Sequence, residues 1–192
     1  MRIRYFYLLM IIALCYGIWT LAFKNDQGVT DTENYQVINS DVSTFKSYKM
    51  TKLSAFEGEF RVLSREDYYT GREAEISPTD LALGWGAMAD PQVYKQLSIR
   101  QSNRWYYWRY ENEPPIPRRE IETHSANMHI IPANKAIAQQ LSKVDENDRI
   151  NLKGQLVEVS AEDGWVWRSS LSREDTGNGA CELFLVESIQ IL

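Results

Sequence analysis

The clearest alternation of apolar and polar residues lies in the last third of the chain. Residues 149–159 (RINLKGQLVEV) alternate, and the pattern changes face around Gly154, which indicates a strand with a bulge or a bend. This segment resembles the opening strand of a small OB-type barrel. The turn pair Asp163-Gly164 follows it, so a hairpin is predicted between this strand and a second one over 165–171.

The rest of the chain combines further strands with short helices. Helix starts are predicted at Ser77-Pro78, at Asp90-Pro91 and at Asn134, because each places a capping side chain before a helix-compatible run. The fold class is therefore α+β, with an antiparallel sheet, an OB-like barrel as one form of that sheet, and two or three short helices. Further strands are predicted over 56–62, 104–110, 128–131 and 181–191.

The N-terminal segment is a candidate membrane anchor. Residues 5–23 (YFYLLMIIALCYGIWTLAF) contain no charged side chain and would span about 28 Å as a helix, close to the thickness of the bilayer interior. A cleaved signal peptide ending at 20–22 and a lipid anchor on Cys15 are the alternatives. The predicted parts of the chain are a transmembrane anchor (1–23), a flexible polar linker (24–44) and an exported globular domain (45–192).

The distribution of charge predicts an orientation and disfavours one class of ligand. Arg2 and Arg4 precede the apolar run and acidic residues follow it, so the domain is expected outside the cytoplasm. The formal net charge is −5, and 19 of the 21 basic side chains accompany all 26 acidic ones after the anchor. Nucleic acid is therefore not the expected partner, since its backbone is bound by clustered Lys and Arg. We expect a single-pass membrane protein whose C-terminal domain is exported.

Cysteine and histidine are the catalytic candidates. The sequence contains no GxSxG, HExxH, Walker A or GxGxxG motif. Cys181 follows a glycine-rich loop that could offer backbone N–H groups to an oxyanion, with His124 or His129 as its base. The alternatives are a packed, partly buried thiol, or a redox or intermolecular disulfide role. The histidines are five residues apart, which places them on different faces, so neither a metal site nor a cofactor is predicted.

The segment RWYYWRY (104–110) has the most unusual local composition. Alternation places Trp105 and Tyr107 on one face of the predicted strand and the other three aromatic residues on the opposite face. Exposing both aromatic faces to water would be unfavourable in free energy. One face is therefore expected in the core and the other against a helix, a ligand or a partner. Packing in the core alone is the alternative. The candidate ligand-binding residues, which could stack on sugars or bases, are Arg104, Trp105, Tyr107, Trp108 and Arg109.

Three phrases of the sequence resemble a known group of proteins. They are GWGAMADP (84–91), RREIETHSANMHIIPAN (118–134) and WRSSLSREDTGNGACEL (167–183). In these phrases the chain is similar to a family of uncharacterised bacterial membrane-anchored proteins. The resemblance implies a bacterial origin and the same arrangement of anchor and domain, and it assigns no activity and no functional residues. With the predicted anchor, it leads us to expect a single-pass protein of the bacterial inner (cytoplasmic) membrane.

The expected function is that of a membrane-tethered, non-catalytic domain that faces the periplasm or the cell exterior and binds a protein or an envelope component such as a glycan. The anchor, the acidic linker, the aromatic strand and the missing catalytic motifs support this interpretation. Two alternatives remain open. One is a hydrolase or acyltransferase that uses Cys181 with a histidine, and the other is an OB-like barrel that binds oligosaccharide or nucleic acid.

Overall fold

The computed structural model describes residues 35–37, 42–172 and 181–192, which form an α+β fold with a strand-rich, mostly antiparallel sheet and few helices. The strands are β1 (Tyr35–Val37), β2 (Val42–Phe45), β3 (Tyr48–Asp67), β4 (Thr79–Gly84), β5 (Ser98–Ser102), β6 (Trp105–Arg109), β7 (Ser125–Pro132), β8 (Arg149–Ala161), β9 (Val166–Arg168) and β10 (Glu182–Ile191). The helices are α1 (Arg72–Ile76), a 3-10 turn (Gly86–Ala89), α2 (Pro91–Tyr94), α3 (Arg118–Thr123) and α4 (Lys135–Leu141).

Five of the strands pair in a closed circuit. The long strand β3 pairs with β8 over residues 48–61 and with β4 over residues 61–67. β4 pairs with β7, β7 with β10, and β10 with β8, so the order β3-β4-β7-β10-β8 returns to β3. In this circuit β7 and β10 run parallel and the other neighbours run antiparallel. The hairpin of β5 and β6 lies outside the circuit, within residues 85–124, which connect β4 to β7 and are called the insert below.

Three apolar clusters hold these layers together. The first cluster lies inside the circuit, and all five strands contribute side chains to it, for example Leu83, Met128 and Phe184. Helix α4 adds Ile137 and Leu141. The second lies on the outer face of β8 and β10, under β9 and α1. The third joins the outer face of β3 and β4 to the insert. The outer surface of the circuit is therefore largely covered by other elements of the chain.

Gly154 lies where a side chain would collide with a neighbouring strand of the circuit. It lies opposite Val186 of β10 and Phe56 of β3, and a Cβ atom built there would lie 2.0 Å from the carbonyl oxygen of Leu185. The pairing register shifts nearby in both partner strands, as a bend requires. An irregularity near Gly154 is thus present, but its extra residues, Leu53 and Glu187, belong to the partner strands β3 and β10 and not to β8 itself. The strand is the fourth of the circuit and not the opening one, because β3 precedes it as a much longer strand.

Several predicted elements are confirmed. The carboxylate of Asp90 accepts a hydrogen bond from the backbone N–H of Gln92 (2.8 Å), and the side chain of Asn134 accepts one from the N–H of Ile137 (3.1 Å), so both residues cap helices. Gly164 follows Asp163 with φ +87, as the predicted turn requires. The segments predicted as strands over 56–62, 104–110, 128–131 and 181–191 overlap β3, β6, β7 and β10 respectively.

The predicted helix start at Ser77-Pro78 is wrong. Residues Thr79–Gly84 form β4, in which all six residues are buried. A strand that is covered on both faces loses the polar–apolar alternation that distinguishes a strand from a buried helix. Pairing with β3 and β7 therefore decides the conformation, which the local capping signal does not specify.

The structure describes only part of the N-terminal region. β1 and most of β2 lie within 24–44, the predicted linker, where they pair with each other and β2 pairs with β3. Backbone hydrogen bonds to an existing sheet account for these strands, which have no sustained apolar period. The predicted transmembrane segment, residues 5–23, lies outside the described residues. Among the residues that are described, no helix has the length and apolar character needed to cross a membrane.

The close approach at Gly154 generates a prediction. The substitution Gly154→Ala is expected to lower the free energy of unfolding by about 3 kcal/mol, because the added methyl group meets a strand backbone and not a flexible side chain. Urea unfolding of the full chain in detergent, followed by tryptophan fluorescence, measures the change.

A matched control is Gly164→Asn. At that glycine φ is +87 and no atom lies within 4 Å of the added Cβ, and asparagine tolerates this backbone region. This variant is expected to change the free energy of unfolding by less than about 1 kcal/mol. Equal losses in the two variants would contradict the assignment of the close approach to Gly154.

Candidate functional site

The hairpin of β5 and β6 is the most distinctive surface feature of the described residues. Its strands pair from Ser98↔Arg109 to Ser102↔Trp105, and the two-residue turn between them is Asn103-Arg104. Both turn residues have positive φ, 53° and 70°, as a type I′ turn requires. The hairpin is therefore tight and its register is fixed by the turn.

The two faces of the hairpin have different environments. Trp105 and Tyr107 are each 38% exposed, whereas Tyr106 and Trp108 are partly buried and pack on the third apolar cluster. The hydroxyl of Tyr106 donates a hydrogen bond to Ser125 at the start of β7 (3.2 Å). Burial raises the pKa of Tyr106 to about 12, so this hydroxyl stays protonated at neutral pH. The predicted division into one core face and one outer face is present in the hairpin.

The outer face, called the hairpin face below, combines aromatic, cationic and hydroxyl groups. The guanidinium of Arg100 lies over the ring of Tyr107, 4.4 Å from its centroid. A depression of about 480 Å³ lies beside this pair and includes Arg109. Among the described residues, neither Arg100 nor Arg109 forms an ion pair with a carboxylate. The residues of the hairpin face are Ser98, Arg100, Ser102, Trp105, Tyr107 and Arg109.

A buried polar cluster lies at the turn of the same hairpin. The carboxylate of Asp80 on β4 has no exposed surface, and it accepts a hydrogen bond from the guanidinium of Arg104 (2.7 Å). Asn127 of β7 donates to the second oxygen of Asp80 (3.3 Å) and to the backbone carbonyl of Arg104 (3.0 Å). Gln101 donates to the side-chain oxygen of Asn127 (2.6 Å). The turn of the hairpin is thus bonded to two strands of the circuit.

His129 completes this cluster on the side of β10. Its Nδ1 lies 2.9 Å from Asp80, but the ring N–H does not point along that line, so the contact is electrostatic more than a well-aligned hydrogen bond. The imidazole packs on Trp167 with ring centroids 4.8 Å apart. His129 is only 3% exposed. The ring is therefore enclosed between a carboxylate and an indole.

Arg104 is held on several sides at once. Its guanidinium lies 3.6 Å from the ring centroid of Tyr68, and its backbone N–H donates to the hydroxyl of Tyr68 (2.9 Å). Burial, and then the negative charge of Asp80, raise the pKa of Tyr68 to about 12. A positive φ costs a residue other than glycine about 1–2 kcal/mol, and the second position of such a turn usually holds glycine. The buried contacts of Arg104 offset that cost.

The structure separates the predicted binding residues into two groups. Trp105, Tyr107 and Arg109 lie on the outer side of the hairpin, whereas Arg104 is directed at the buried carboxylate of Asp80. Trp108 is intermediate, because it packs on the insert and also lines the depression beside Tyr107. Arg104 therefore positions the hairpin and is not part of its outer surface.

The three catalytic candidates do not converge on one site. The Sγ of Cys181 lies 3.9 Å from the carbonyl oxygen of Arg104, so it belongs to the same region as His129. His124 follows the end of α3, where its Nδ1 lies 2.9 Å from the carbonyl oxygen of Glu120. His124 directly precedes β7, so at about 3.3 Å per residue its backbone lies roughly 16 Å from that of His129. In the described residues no group of three or more His, Cys, Asp or Glu side chains could hold a metal ion.

Asp80 and Asn127 are the residues of this region that sequence patterns miss. The sequence signal for Asp80 is a lone acid that opens an apolar run, TDLALGWGAMA, which fits a helix cap as well as a buried charge. The signal for Asn127 is a polar residue before the strand-like run MHII. Neither residue is recognisable without the pairing of β4 with β7, which places Asp80 directly opposite His129.

Comparison of the chain with protein-family models, with curated proteins and with solved structures gave no match, so the geometry of the site is the basis for its interpretation.

The Asp80–Arg104 pair generates a prediction about stability. Arg104→Met is expected to lower the free energy of unfolding by about 3–5 kcal/mol, because it leaves the buried carboxylate of Asp80 without its cation. The control Arg109→Met removes an exposed arginine from the same hairpin and should cost less than about 0.5 kcal/mol. Urea unfolding of the full chain in detergent measures both variants.

The double variant Asp80→Leu with Arg104→Met tests the cause. Removal of both charges should recover most of the loss, since an apolar pair of similar size replaces a buried ion pair with little cost. If Arg104→Met lowers the free energy of unfolding no more than Arg109→Met does, the buried pair does not stabilise the hairpin.

Proposed function

We propose that the protein is a membrane-tethered, non-catalytic binding domain that faces the periplasm or the cell exterior and displays the hairpin face to a protein or glycan of the bacterial envelope. The observation that carries the proposal is the hairpin face itself. Two aromatic rings and two arginines, which form no ion pair with any described residue, project from one side of a hairpin whose other side is anchored in the core. Aromatic residues and arginine are enriched in binding surfaces, where they carry much of the binding free energy.

The form of the sheet supports an OB-like barrel as the scaffold. The circuit has five strands in the order β3-β4-β7-β10-β8, with one parallel pair, and α4 lies between β7 and β8. In OB-type barrels the face of the second and third strands binds oligonucleotides or oligosaccharides. Here those strands are β4 and β7, and the insert and the buried cluster of Asp80 cover much of their outer face. The ligand surface would then be the outer side of the insert.

The hairpin face has the rigidity that binding surfaces favour. Tyr and Trp offer large contact areas with few rotatable bonds, so little conformational entropy is lost on binding. Arg100 is already stacked on Tyr107, and the turn is held through Arg104. The face is therefore ordered before a ligand arrives.

The surroundings of the candidate catalytic residues favour a structural role for them. A general base has to reach the proton that it removes. His129 is 3% exposed, lies against Asp80 and packs on Trp167, while the thiol of Cys181 lies near the Arg104 carbonyl oxygen. These groups hold the hairpin turn in place, and a substrate would have to displace that packing. The binding function is accordingly preferred to a Cys–His hydrolase or acyltransferase.

The membrane part of the proposal is tested by a fusion. Alkaline phosphatase joined after Leu192 is expected to be active, because the enzyme needs an oxidising compartment for its disulfides. The matched control lacks residues 2–23 and should give an inactive fusion. A second fusion carries green fluorescent protein after Leu192. If this fusion is fluorescent while the phosphatase fusion is inactive, export of the domain is contradicted.

The binding part of the proposal is tested on the envelope itself. Full-length protein in detergent is mixed with the insoluble envelope fraction and sedimented, and the bound fraction is measured. The double variant Trp105→Ala with Tyr107→Ala should weaken binding by at least about tenfold, because each stacked ring contributes about 1–3 kcal/mol.

Tyr69→Ala is the control, since Tyr69 is 65% exposed but lies outside the hairpin. It should leave the bound fraction within about twofold of the wild type, as expected for a surface residue away from the interface. Equal binding of the double variant and the wild type would exclude the hairpin face as the site.

A further inference from the structure

We infer that the ligand of the hairpin face is an acidic oligosaccharide, a sugar chain with carboxylate or phosphate groups at intervals. The inference rests on the proposed function and specifies its ligand class. It is carried by the spacing of two arginines on the hairpin face, by the charges around them and by the two exposed rings.

The arginines are placed to receive one or two anionic groups. Arg100 lies directly opposite Tyr107, and Arg109 is the next residue along β6 on the same face. Diagonal positions of this kind have Cβ atoms about 7 Å apart, so both guanidinium groups border the depression beside Tyr107. A guanidinium binds a carboxylate or a phosphate through two parallel hydrogen bonds.

The charges of both arginines are available to a ligand. In the described part of the chain several arginines pair with carboxylates, for example Arg72 with Asp163 and Arg168 with Glu158. Arg100 and Arg109 form no such ion pair there. An anionic ligand would supply the missing partners.

The rings indicate that the anion is attached to a sugar. Trp105 and Tyr107 are two residues apart on one strand face, about 7 Å, so they form a row beside the arginines. Exposed aromatic faces stack on the apolar faces of sugar rings as well as on bases. A free inorganic anion would use the arginines and leave both rings in water.

The charges beyond the arginines favour a sugar chain over nucleic acid. The groove that continues from Arg109 is lined by Glu111 and Glu113 together with Lys95. A continuous phosphodiester backbone would meet these carboxylates, and its binding requires many clustered cations. An oligosaccharide with sparse charges can place its acid at Arg100 and Arg109 and a neutral unit beyond them.

The test uses full-length protein in a detergent without a sugar headgroup and isothermal titration calorimetry. The probes are tetragalacturonate, which has one carboxylate per sugar, its methyl ester, which has the same sugars without charge, and oligothymidylate of eight nucleotides. Tetragalacturonate should bind at least tenfold more tightly than the methyl ester, and its affinity should fall as salt is added.

Two matched double variants assign the effect to the site. Arg100→Gln with Arg109→Gln should weaken tetragalacturonate binding at least tenfold. Lys135→Gln with Lys143→Gln removes the same charge from two exposed positions, one at the start of α4 and one just after its end, and should leave the affinity within twofold. Trp105→Ala with Tyr107→Ala should weaken both the acid and the ester.

The opposite results would overturn the inference. These are equal affinity for the acid and its ester, full acid binding by the arginine variant, or tighter binding of oligothymidylate than of the acid. If no sugar probe binds while envelope sedimentation still depends on Trp105 and Tyr107, the ligand class is wrong and the proposed function stands. If sedimentation is also independent of the two rings, the proposed function fails with it.

Discussion

The buried carboxylate of Asp80 is the group on which the placement of the insert depends. A charged acid without exposed surface is tolerated only where a cation and hydrogen-bond donors surround it. Arg104 supplies the cation, Asn127 supplies an N–H donor, and His129 closes the remaining side. Since Arg104 belongs to the hairpin turn and the other two residues belong to β7, satisfying the charge also fixes the hairpin on the circuit. Apolar packing alone would tolerate small sliding of the hairpin, whereas these directional contacts do not.

The anchored side of the hairpin explains why its other side is available. An isolated two-stranded hairpin is only marginally stable in water, so β5 and β6 need a partner surface. Tyr106 and Trp108 provide the contact to the third apolar cluster, and the Tyr106 hydroxyl bonds to Ser125. Because side chains alternate along a strand, Trp105 and Tyr107 then have to project outward. The exposure of these rings is a direct consequence of how the hairpin is held.

Local patterns predicted the elements whose signals are local. The alternation around Gly154, the caps at Asp90 and Asn134 and the two faces of 104–110 depend on neighbouring residues, and each is found in the structure. The strand β4 and the role of Asp80 depend on pairing with strands about 20 and 50 residues away, which no local window contains. Arg104 was assigned to the aromatic surface for the same reason, since its direction is set by Asp80 and not by its neighbours in sequence.

The way the insert covers the circuit also sets the kind of binding that the domain can perform. A deep cleft would enclose a small molecule, but the hairpin face is an open strip of two rings with arginines beside them. Each contact of such a strip is modest, and an extended polymer gains affinity by occupying several of them together. In the proposed function, attachment to a membrane would raise the effective concentration of the strip near an envelope polymer, so that modest contacts would suffice for retention. A rigid outward face is therefore consistent with the proposed tethered domain, in which the buried charge at Asp80 provides the rigidity and the predicted anchor would provide the proximity.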